Sequence, residues 1–214
     1  MNLQHGWIVG VSLLFGASAS AGELAVRVED ARSAPVVDAV VTVRGESEAR
    51  QTTAPATKVI DQRGERFLPY VEIFRPGDQV VFRNSDRTRH HVYSFAPAKS
   101  FEFVIAPGQS AAPVTLDQVG EIAVGCNIHD PMIAHLYISD AAHIAKTGSD
   151  GRVVFAQLPE GRYTVEVWHP QLRPGRPEPH QTTTLETQDA TLTFSLTLLA
   201  DPRAGADDPE RSRY

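Results

Sequence analysis

Short runs of alternating apolar and polar residues, separated by turn-forming residues, constrain the fold of this chain more than any other feature. The runs lie at residues 24–29, 41–44, 79–83, 101–105 and 164–168. A side-chain period of two is typical of strands that bury one face. No long window keeps the apolar period of a helix, and only residues 140–146 are expected to form a single helical turn. The sequence therefore predicts an all-β protein built of β-sandwiches with Greek-key connections.

The charge balance excludes several classes of protein. The chain has 20 Lys and Arg against 26 Asp and Glu, a net charge of −6, and shows no basic cluster. Nucleic-acid binders usually carry a basic stripe, so we expect no nucleic-acid partner. Beyond the N-terminus no apolar run is long enough for a membrane-spanning helix, which excludes a multispan membrane protein. We expect a soluble globular protein.

The N-terminus predicts export. Residues 1–22 contain no Asp, Glu, Lys or Arg, and the apolar run at 7–15 leads into small residues that end in Ala19-Ser20-Ala21. This order fits a signal peptide with an A-x-A cleavage site. We therefore expect a signal peptide at residues 1–21 and a periplasmic protein with no membrane span after cleavage. An uncleaved anchor is the alternative, although the run is short for a span of ~20 residues.

The residues that can carry chemistry concentrate in the segment 125–132, GCNIHDPM. Cys126 is the only cysteine, and Met132 is the only methionine besides Met1, with His129 midway between them in a C-x-x-H-x-x-M pattern. Thiolate, imidazole and thioether donors select copper over Ca²⁺ or Mg²⁺, and two His, one Cys and a long axial Met form the blue-copper ligand set. The remaining histidine would come from the adjacent pair His90-His91, which follows a strand and a turn.

Other interpretations of these residues weigh less. A lone buried cysteine or methionine is usually part of the core, but the two together with a histidine favour a metal ion. Structural zinc normally takes four Cys or His ligands. A nucleophilic Cys126–His129 pair lacks an orienting carboxylate at suitable spacing, so we expect no enzymatic activity.

Residues 57–140 resemble the cupredoxins, and among them amicyanin and plastocyanin. The run FLPYVEIFRPGDQVVFRN at 67–84 is similar to the family's F-x-P, G-D-x-V-x-F-x-N pattern, and His90 follows Asn84 by six positions as in the family. The C-x-x-H-x-x-M loop is similar to that of amicyanin. The resemblance implies a Greek-key β-sandwich with one copper ion on His90, Cys126 and His129, and Met132 as weak axial ligand.

The resemblance favours His90 as the ligand of the adjacent pair. The alternative is His91, because it shares a strand face with Tyr93 and Phe95, and two aromatic residues are typical of a core-facing side. His91 stands where the family has an asparagine that joins the two ligand-bearing segments by hydrogen bonds, and its ring is expected to do the same. Asp130-Pro131 replaces the family's proline and aromatic residue, so the apolar rim around His129 is expected to differ.

Four further histidines lie beyond the predicted signal peptide. His135 and His143 are expected at the surface or in packing, His169 is expected to hydrogen-bond at a strand end, and His180 lies in a proline-rich loop.

The flanking segments resemble a second family. Residues 26–43 and 146–165 are similar to carboxypeptidase regulatory-like (transthyretin-like) β-sandwiches, with a first hairpin at residues 24–45. A two-stranded hairpin cannot bury its apolar face alone, so we expect its partners after residue 146. This predicts a cupredoxin domain at 55–140 inserted between residues 22–50 and 141–199 of a discontinuous sandwich. Two tandem domains, with the hairpin added to the cupredoxin sheet, are the alternative.

These expectations combine into a function. The sequence predicts a periplasmic blue-copper protein that carries single electrons between redox partners, such as a dehydrogenase and a cytochrome, and transforms no substrate. The segments HHVYSF, GCNIHD and VWHP also resemble bacterial proteins labelled methylamine utilisation proteins, which does not show that methylamine is involved. The alternatives are a copper carrier or storage module without redox cycling, and a non-metal interaction module. A tail at 200–214, rich in Pro, Gly, Asp and Arg, is expected to be disordered.

Overall fold

The computed structural model describes residues 21–46, 54–129, 132–186 and 188–204. Every regular element in these ranges is a β-strand, which confirms the all-β prediction. The strands are β1 (Ala21–Asp30), β2 (Val40–Gly45), β3 (Thr57–Gln62), β4 (Phe67–Leu68), β5 (Val71–Phe74), β6 (Asp78–Asn84), β7 (His90–Ala96), β8 (Lys99–Ile105), β9 (Val114–Leu116), β10 (Gly120–Cys126), β11 (Ile133–Ile138), β12 (His143–Lys146), β13 (Arg152–Pro159), β14 (Gly161–Trp168), β15 (His180–Leu185) and β16 (Ala190–Leu196).

The predicted signal peptide falls almost entirely outside this description, because residues 1–20 are not among the described ranges. Ala21, the last residue of the predicted signal, is the first residue of β1. Within the described ranges, no helix has the length and hydrophobicity that crossing a bilayer requires.

Strands from both ends of the described chain form one sandwich, here called the terminal sandwich. Its two sheets have the strand orders β13-β1-β16 and β12-β2-β14-β15. β1 runs antiparallel to β13 and parallel to β16. The two sheets enclose a single core, in which Val26 and Val28 of β1 belong to the same buried cluster as Val41 and Val43 of β2.

The expected hairpin at residues 24–45 is wrong. β1 and β2 do not pair with each other, since they lie in different sheets of the terminal sandwich. The connection between them crosses from one sheet to the other and buries Val36 and Ala39 in the shared core. Alternation identifies a strand and its buried face but not the neighbour that completes its hydrogen bonds, and this explains the error.

Strands β3 to β11 form a second sandwich, here called the central sandwich. Its sheets have the orders β5-β11-β10-β7-β8 and β4-β3-β6-β9. Their facing sides bury aliphatic and aromatic side chains, among them Phe74, Phe82 and Leu136. Cys126 and Met132 belong to this same core.

Trp168 joins the two sandwiches. It lies at the end of β14 in the terminal sandwich and packs against Tyr137 of β11, with ring centroids 4.9 Å apart and ring planes tilted by 35°. His135 contacts both Trp168 and Tyr70, which places it in packing as expected. The predicted domain boundaries stay predictions.

Residues 201–204, in the segment expected to be disordered, form a turn with defined contacts. The Arg203 guanidinium lies over the Tyr70 ring, 3.4 Å from its centroid, and hydrogen-bonds Asp201. Residues 205–214 lie outside the described ranges.

The expected helical turn at residues 140–146 is also wrong. Residues 143–146 form β12, which pairs antiparallel with β2 from His143–Val43 to Lys146–Val40. A short segment has little local preference of its own, so a neighbouring strand that needs hydrogen bonds determines its conformation.

Gly151 offers a test of how tightly the terminal sandwich is closed. Its φ is +70°, and a Cβ added there would lie 2.5 Å from the Val28 carbonyl oxygen and 3.0 Å from Pro35 Cα. Gly175 has a similar φ of +73° with no atom within 4 Å of the added Cβ. Gly175→Ala therefore measures backbone strain alone, about 1 kcal/mol. We expect Gly151→Ala to lower the free energy of unfolding by at least about 1 kcal/mol more, measured by urea denaturation. An equal loss in the free energy of unfolding of the two variants would show that the β1 backbone moves aside to accommodate the methyl group.

Candidate metal centre

Two neighbouring strands bring His90 next to Cys126. Cys126 is the last residue of β10 and His90 the first of β7. These strands are antiparallel partners, with Gly125 opposite Tyr93 and Cys126 opposite Val92. The end of one strand therefore meets the start of the other, and Cys126 Sγ lies 3.8 Å from His90 Nδ1. Both side chains are buried.

His129 completes a cluster of three donors. The ligand atoms of His90, Cys126 and His129 all lie within 4.8 Å of one another. The Nδ1 atom of His129 is buried and has no hydrogen-bond partner among the described residues. Ligand bonds of about 2.3 Å to sulfur and 2.0–2.1 Å to nitrogen, at tetrahedral to trigonal angles, require an S···N distance of about 3.6–3.8 Å. The donors therefore fit a metal ion.

Met132, the fourth predicted ligand, is buried beside this cluster. Its N–H donates to the His129 carbonyl oxygen (3.1 Å), and its carbonyl oxygen accepts from the Cys126 N–H (3.2 Å). Met132 and Cys126 also line one hollow of about 190 Å³. These backbone hydrogen bonds close the loop between β10 and β11 on itself and hold Met132 close to Cys126. Asp130 and Pro131 lie outside the described residues.

His91 lies on the other side of the sheet from this cluster. Its Nε2 atom pairs with Glu102 Oε1 at 2.8 Å, while its carbonyl oxygen accepts from the Asn127 N–H at 3.0 Å. The expected connection between the two ligand-bearing segments is present, but the His91 backbone makes it and not the ring. Successive side chains of a strand point to opposite faces, so only one histidine of the pair can reach the core.

The outer face of β7 carries a row of aromatic rings. His91, Tyr93 and Phe95 follow one another, and the last two rings have centroids 5.3 Å apart. Tyr93 lies over Gly125, where an added Cβ would be 2.9 Å from its ring carbon Cζ. The residue before Cys126 must therefore lack a side chain for Tyr93 to keep this position.

Asp86 holds the far side of the His90 ring. Its carboxylate lies 2.9 Å from His90 Nε2 and also accepts from the N–H groups of Gly64 (2.5 Å) and Glu65 (3.1 Å). Burial raises the pKa of this carboxyl, but the hydrogen bonds from Glu65, His90 and Gly64 outweigh burial and hold the pKa below its usual value. An ionised Asp86 requires a proton on Nε2, which leaves the lone pair on Nδ1, the atom that faces Cys126.

Glu65 lies beside the outward nitrogen of His129, as Asp86 lies beside that of His90. Its Oε1 atom lies 3.4 Å from His129 Nε2. Sequence reasoning missed both carboxylates. Metal-binding histidines commonly donate their second N–H to a carboxylate, so Asp86, four residues before His90, could have been identified as a candidate. Glu65 reaches His129 only through the tertiary fold, and no local pattern marks it.

Asn84 fixes the loop that leads to His90. The side chain is fully buried, and its Nδ2 donates to the carbonyl oxygens of Thr88 (2.8 Å) and Ile105 (3.0 Å). Its Oδ1 accepts from the Asp86 N–H at 2.9 Å. One asparagine thus satisfies three backbone groups in the loop and in β8, and the position of Asp86 depends on it.

Comparisons with known proteins find likenesses in structure only. No protein-family model matches the chain, and no curated protein matches it. A copper-containing nitrite reductase from Thermus scotoductus is 22% identical over 46% of this chain and 25% of its own, with a TM-score of 0.36. A reduced mutant of amicyanin is 19% identical over 46% of this chain and 98% of its own (TM-score 0.37). A purple cupredoxin from Nitrosopumilus maritimus is 17% identical over 39% of this chain and 99% of its own, with a TM-score of 0.34.

The matched region spans only a quarter of the nitrite reductase. At these identities and TM-scores, the likeness does not indicate a function for this chain.

Asp86→Asn tests how the His90 ring is oriented. An amide accepts a hydrogen bond less strongly than a carboxylate, so we expect part of the His90 population to move its proton to Nδ1. The measurement is the ¹⁵N chemical shifts of the imidazole nitrogens in metal-free protein, where the wild type is expected to show a single Nε2–H tautomer. Glu65→Gln, which removes the neighbouring carboxylate instead, is expected to leave the His90 shifts unchanged. An unaltered His90 spectrum in Asp86→Asn would contradict the role given to Asp86.

Proposed function

We propose that this chain is a periplasmic protein that binds one copper ion and carries single electrons between redox proteins. One observation carries the proposal: two histidine nitrogens and one thiol sulfur converge in a cluster, and His129 Nδ1 is buried with no hydrogen-bond partner among the described residues. A buried polar atom without a partner is costly, and a bound metal ion removes that cost. A further soft donor, Met132, lies in the same core.

The donor types favour copper over zinc. His90, Cys126 and His129 would form the three strong bonds, and Met132 would supply a long, weak fourth. This combination is the ligand set of blue-copper electron-transfer sites. A structural zinc site normally has four Cys or His ligands, and the described residues place only three such groups together. When bound, copper supplies a one-electron couple between Cu(I) and Cu(II).

The surrounding residues keep the donors nearly fixed. Cys126 and His90 sit on paired strands, Asp86 sets the orientation of the His90 ring, and Met132 is held by two backbone hydrogen bonds. Donors that are fixed beforehand need little rearrangement when the charge on a bound ion changes by one. Cys126 would act as the thiolate, since a metal ion deprotonates a coordinating thiol.

His129 is the route by which electrons would leave the site. Its side chain is 21% exposed, whereas that of His90 is fully buried. Electrons would pass over this edge between partners such as a dehydrogenase and a cytochrome. In this role the protein would pass electrons and would not transform a substrate.

The bond between Cys126 sulfur and Cu(II) predicts colour. We expect the oxidised, copper-loaded protein to absorb intensely in the visible range through thiolate-to-copper charge transfer, and to lose this absorption on reduction. Cys126→Ala is expected to abolish the band while the far-ultraviolet circular dichroism of the β-sheets stays unchanged. A colourless complex with one Cu(II) would contradict electron transfer and favour a copper carrier.

The adjacent histidines provide a matched control. His90→Ala is expected to eliminate the band because it removes a donor from the cluster. His91→Asn is expected to preserve it, since the His91 ring pairs with Glu102 on the opposite face. The reverse result would move the ligand assignment to His91.

Met132→Leu tests the weak fourth ligand. Leucine has similar volume and no donor atom, so copper is expected to stay bound while the reduction potential rises, because axial donation stabilises Cu(II). The potential is measured by spectroelectrochemical titration of the visible band. Complete loss of copper would make Met132 a primary ligand and contradict the proposed geometry.

A further inference from the structure

His169 is a buried titratable side chain that the metal centre does not use. It directly follows β14, next to Trp168, and is 4% exposed. Its Nε2 atom lies 3.2 Å from the Val37 carbonyl oxygen, and its Nδ1 atom lies 3.2 Å from the backbone nitrogen of Gln171. A carbonyl oxygen only accepts and a backbone N–H only donates, so the ring is neutral with its proton on Nε2. Both ring nitrogens are therefore bonded to backbone groups in one protonation state.

The bond to Gln171 continues toward the C-terminal end of the described chain. The Gln171 side-chain amide donates to the Leu199 carbonyl oxygen (2.7 Å), and the Leu199 N–H donates to the Gln171 carbonyl oxygen (2.8 Å). Further along the same segment, Arg203 lies over the ring of Tyr70 in the central sandwich. His169 therefore connects three segments of the terminal sandwich, and one of them reaches the central sandwich.

Two cavities border on His169. One has a volume of about 590 Å³ and lies along the proline-rich loop at residues 170–179. The other has a volume of about 390 Å³ and includes Tyr70 and the connection between β1 and β2 in its wall. His169 contributes to the wall of each cavity. Water can therefore reach the ring if its hydrogen bonds break.

The charged groups around His169 do not provide a counter-ion for a protonated ring. The titratable and charged groups that share these cavities with it, or that act on its pKa, are Asp30, Asp38, Tyr70, Glu121, His135, Arg173, Arg176, Glu178 and Arg203. The four carboxylates have other partners: the backbone N–H groups of residues 32 and 34 for Asp30, Lys146 for Asp38, His135 for Glu121 and Tyr137 for Glu178. The three arginines disfavour a further positive charge. Among the described residues that line the two cavities, no carboxylate is free to pair with His169.

Burial lowers the pKa of His169 and outweighs the Val37 carbonyl oxygen and the Asp38 carboxylate, which raise it. The positive charges of His135 and Arg203 lower the pKa further. A histidine in water has a pKa of about 6.5, so a conformation that exposes the ring binds a proton more tightly than the closed one. The equilibrium therefore shifts toward the open form as the pH falls from about 6.5 to the lowered pKa. Above about 6.5 both forms are neutral and the shift is absent.

We propose that His169 is a pH switch at the junction of the two sandwiches, whose protonation on Nδ1 releases the loop at residues 170–179 from the segment at residues 199–203. The added proton points at the Gln171 N–H, so a hydrogen bond is replaced by two donors that face each other. The pairing of Gln171 with Leu199 then loses the support of the ring. This inference goes beyond the proposed function, because no residue of the metal cluster takes part in it.

The first test measures the opening in metal-free protein. Hydrogen exchange of the Gln171 and Leu199 backbone amides is followed by NMR at about pH 7.5 and about pH 5.5, on either side of the ordinary histidine pKa. Each rate is divided into the intrinsic exchange rate at the same pH to give a protection factor. From the higher to the lower pH we expect the protection factors to fall at least about threefold and at most about tenfold, the limit for one proton that binds only the open form. Constant protection factors would overturn the proposal.

Two variants separate His169 from the other titrating groups. His169→Gln keeps a donor N–H and an acceptor oxygen but does not titrate in this range. His180→Gln makes the same change at an exposed histidine at the start of β15. We expect the pH dependence of protection at Gln171 and Leu199 to disappear in the first variant and to persist in the second. The same pH dependence in both variants would assign the effect to another group and overturn the proposal.

The second test uses the wild type alone, so it holds even if His169→Gln does not fold. The ¹⁵N chemical shifts of the imidazole nitrogens are expected to show His169 neutral, with its proton on Nε2, at about pH 7.5. Its protonation is expected to follow the same pH curve as the loss of protection at Gln171 and Leu199. A ring that takes up a proton while both amides stay protected would overturn the proposal. A colourless copper complex would contradict the proposed function and leave this result unaffected, because the metal-free protein is used.

Discussion

The contact between β7 and β10 is the constraint from which the candidate centre follows. Pairing Gly125 with Tyr93 sets the register, and this register places His90 Nδ1 3.8 Å from Cys126 Sγ. The register depends on the absence of a side chain at residue 125, since a Cβ there would lie 2.9 Å from the Tyr93 ring. A shift by one residue would turn His90 outward and His91 inward. The loop after Cys126 then needs only a short turn to bring His129 to the same point.

Two carboxylates lie behind the histidines of the cluster, on the side away from Cys126. Asp86 and Glu65 each contact the outward nitrogen of one histidine, and the backbone of Glu65 donates to Asp86. The two histidines are therefore linked through a single turn that belongs to neither ligand-bearing loop. The same turn lies between Arg63 and Arg66, which are both exposed.

Much of this could be predicted from the sequence, because the determining patterns are local. Period-two alternation identified five of the sixteen strands that the described residues form, namely β1, β2, β6, β8 and β14. Three donors within seven residues predicted the ligand loop. The alternation of β7 favours His90 once its faces are known: Val92 and Ser94 are buried with it, while Tyr93 and Phe95 lie outside. The aromatic side of this strand therefore covers the sheet's outer face and not the core. What could not be predicted depends on distant partners. The pairing of β1 and β2 with separate sheets, the formation of β12 and the approach of Glu65 to His129 are set by contacts that no local pattern encodes.

The topology of the terminal sandwich has a consequence for biosynthesis. β1 finds its ladder partners only in β13 and β16, so Leu24 pairs with Ala190 near the far end of the described chain. A ribosome delivers residues in order, and contacts between distant residues form late because the entropic cost of closing a loop rises with its length. The strands that surround Cys126 are complete once residue 138 has emerged, whereas β1 and β2 still lack their partners. We therefore expect the donors to come together while β1 and β2 are still unpaired. Among the described residues, β16 is the last strand to be synthesised, and its pairing with β1 completes the terminal sandwich.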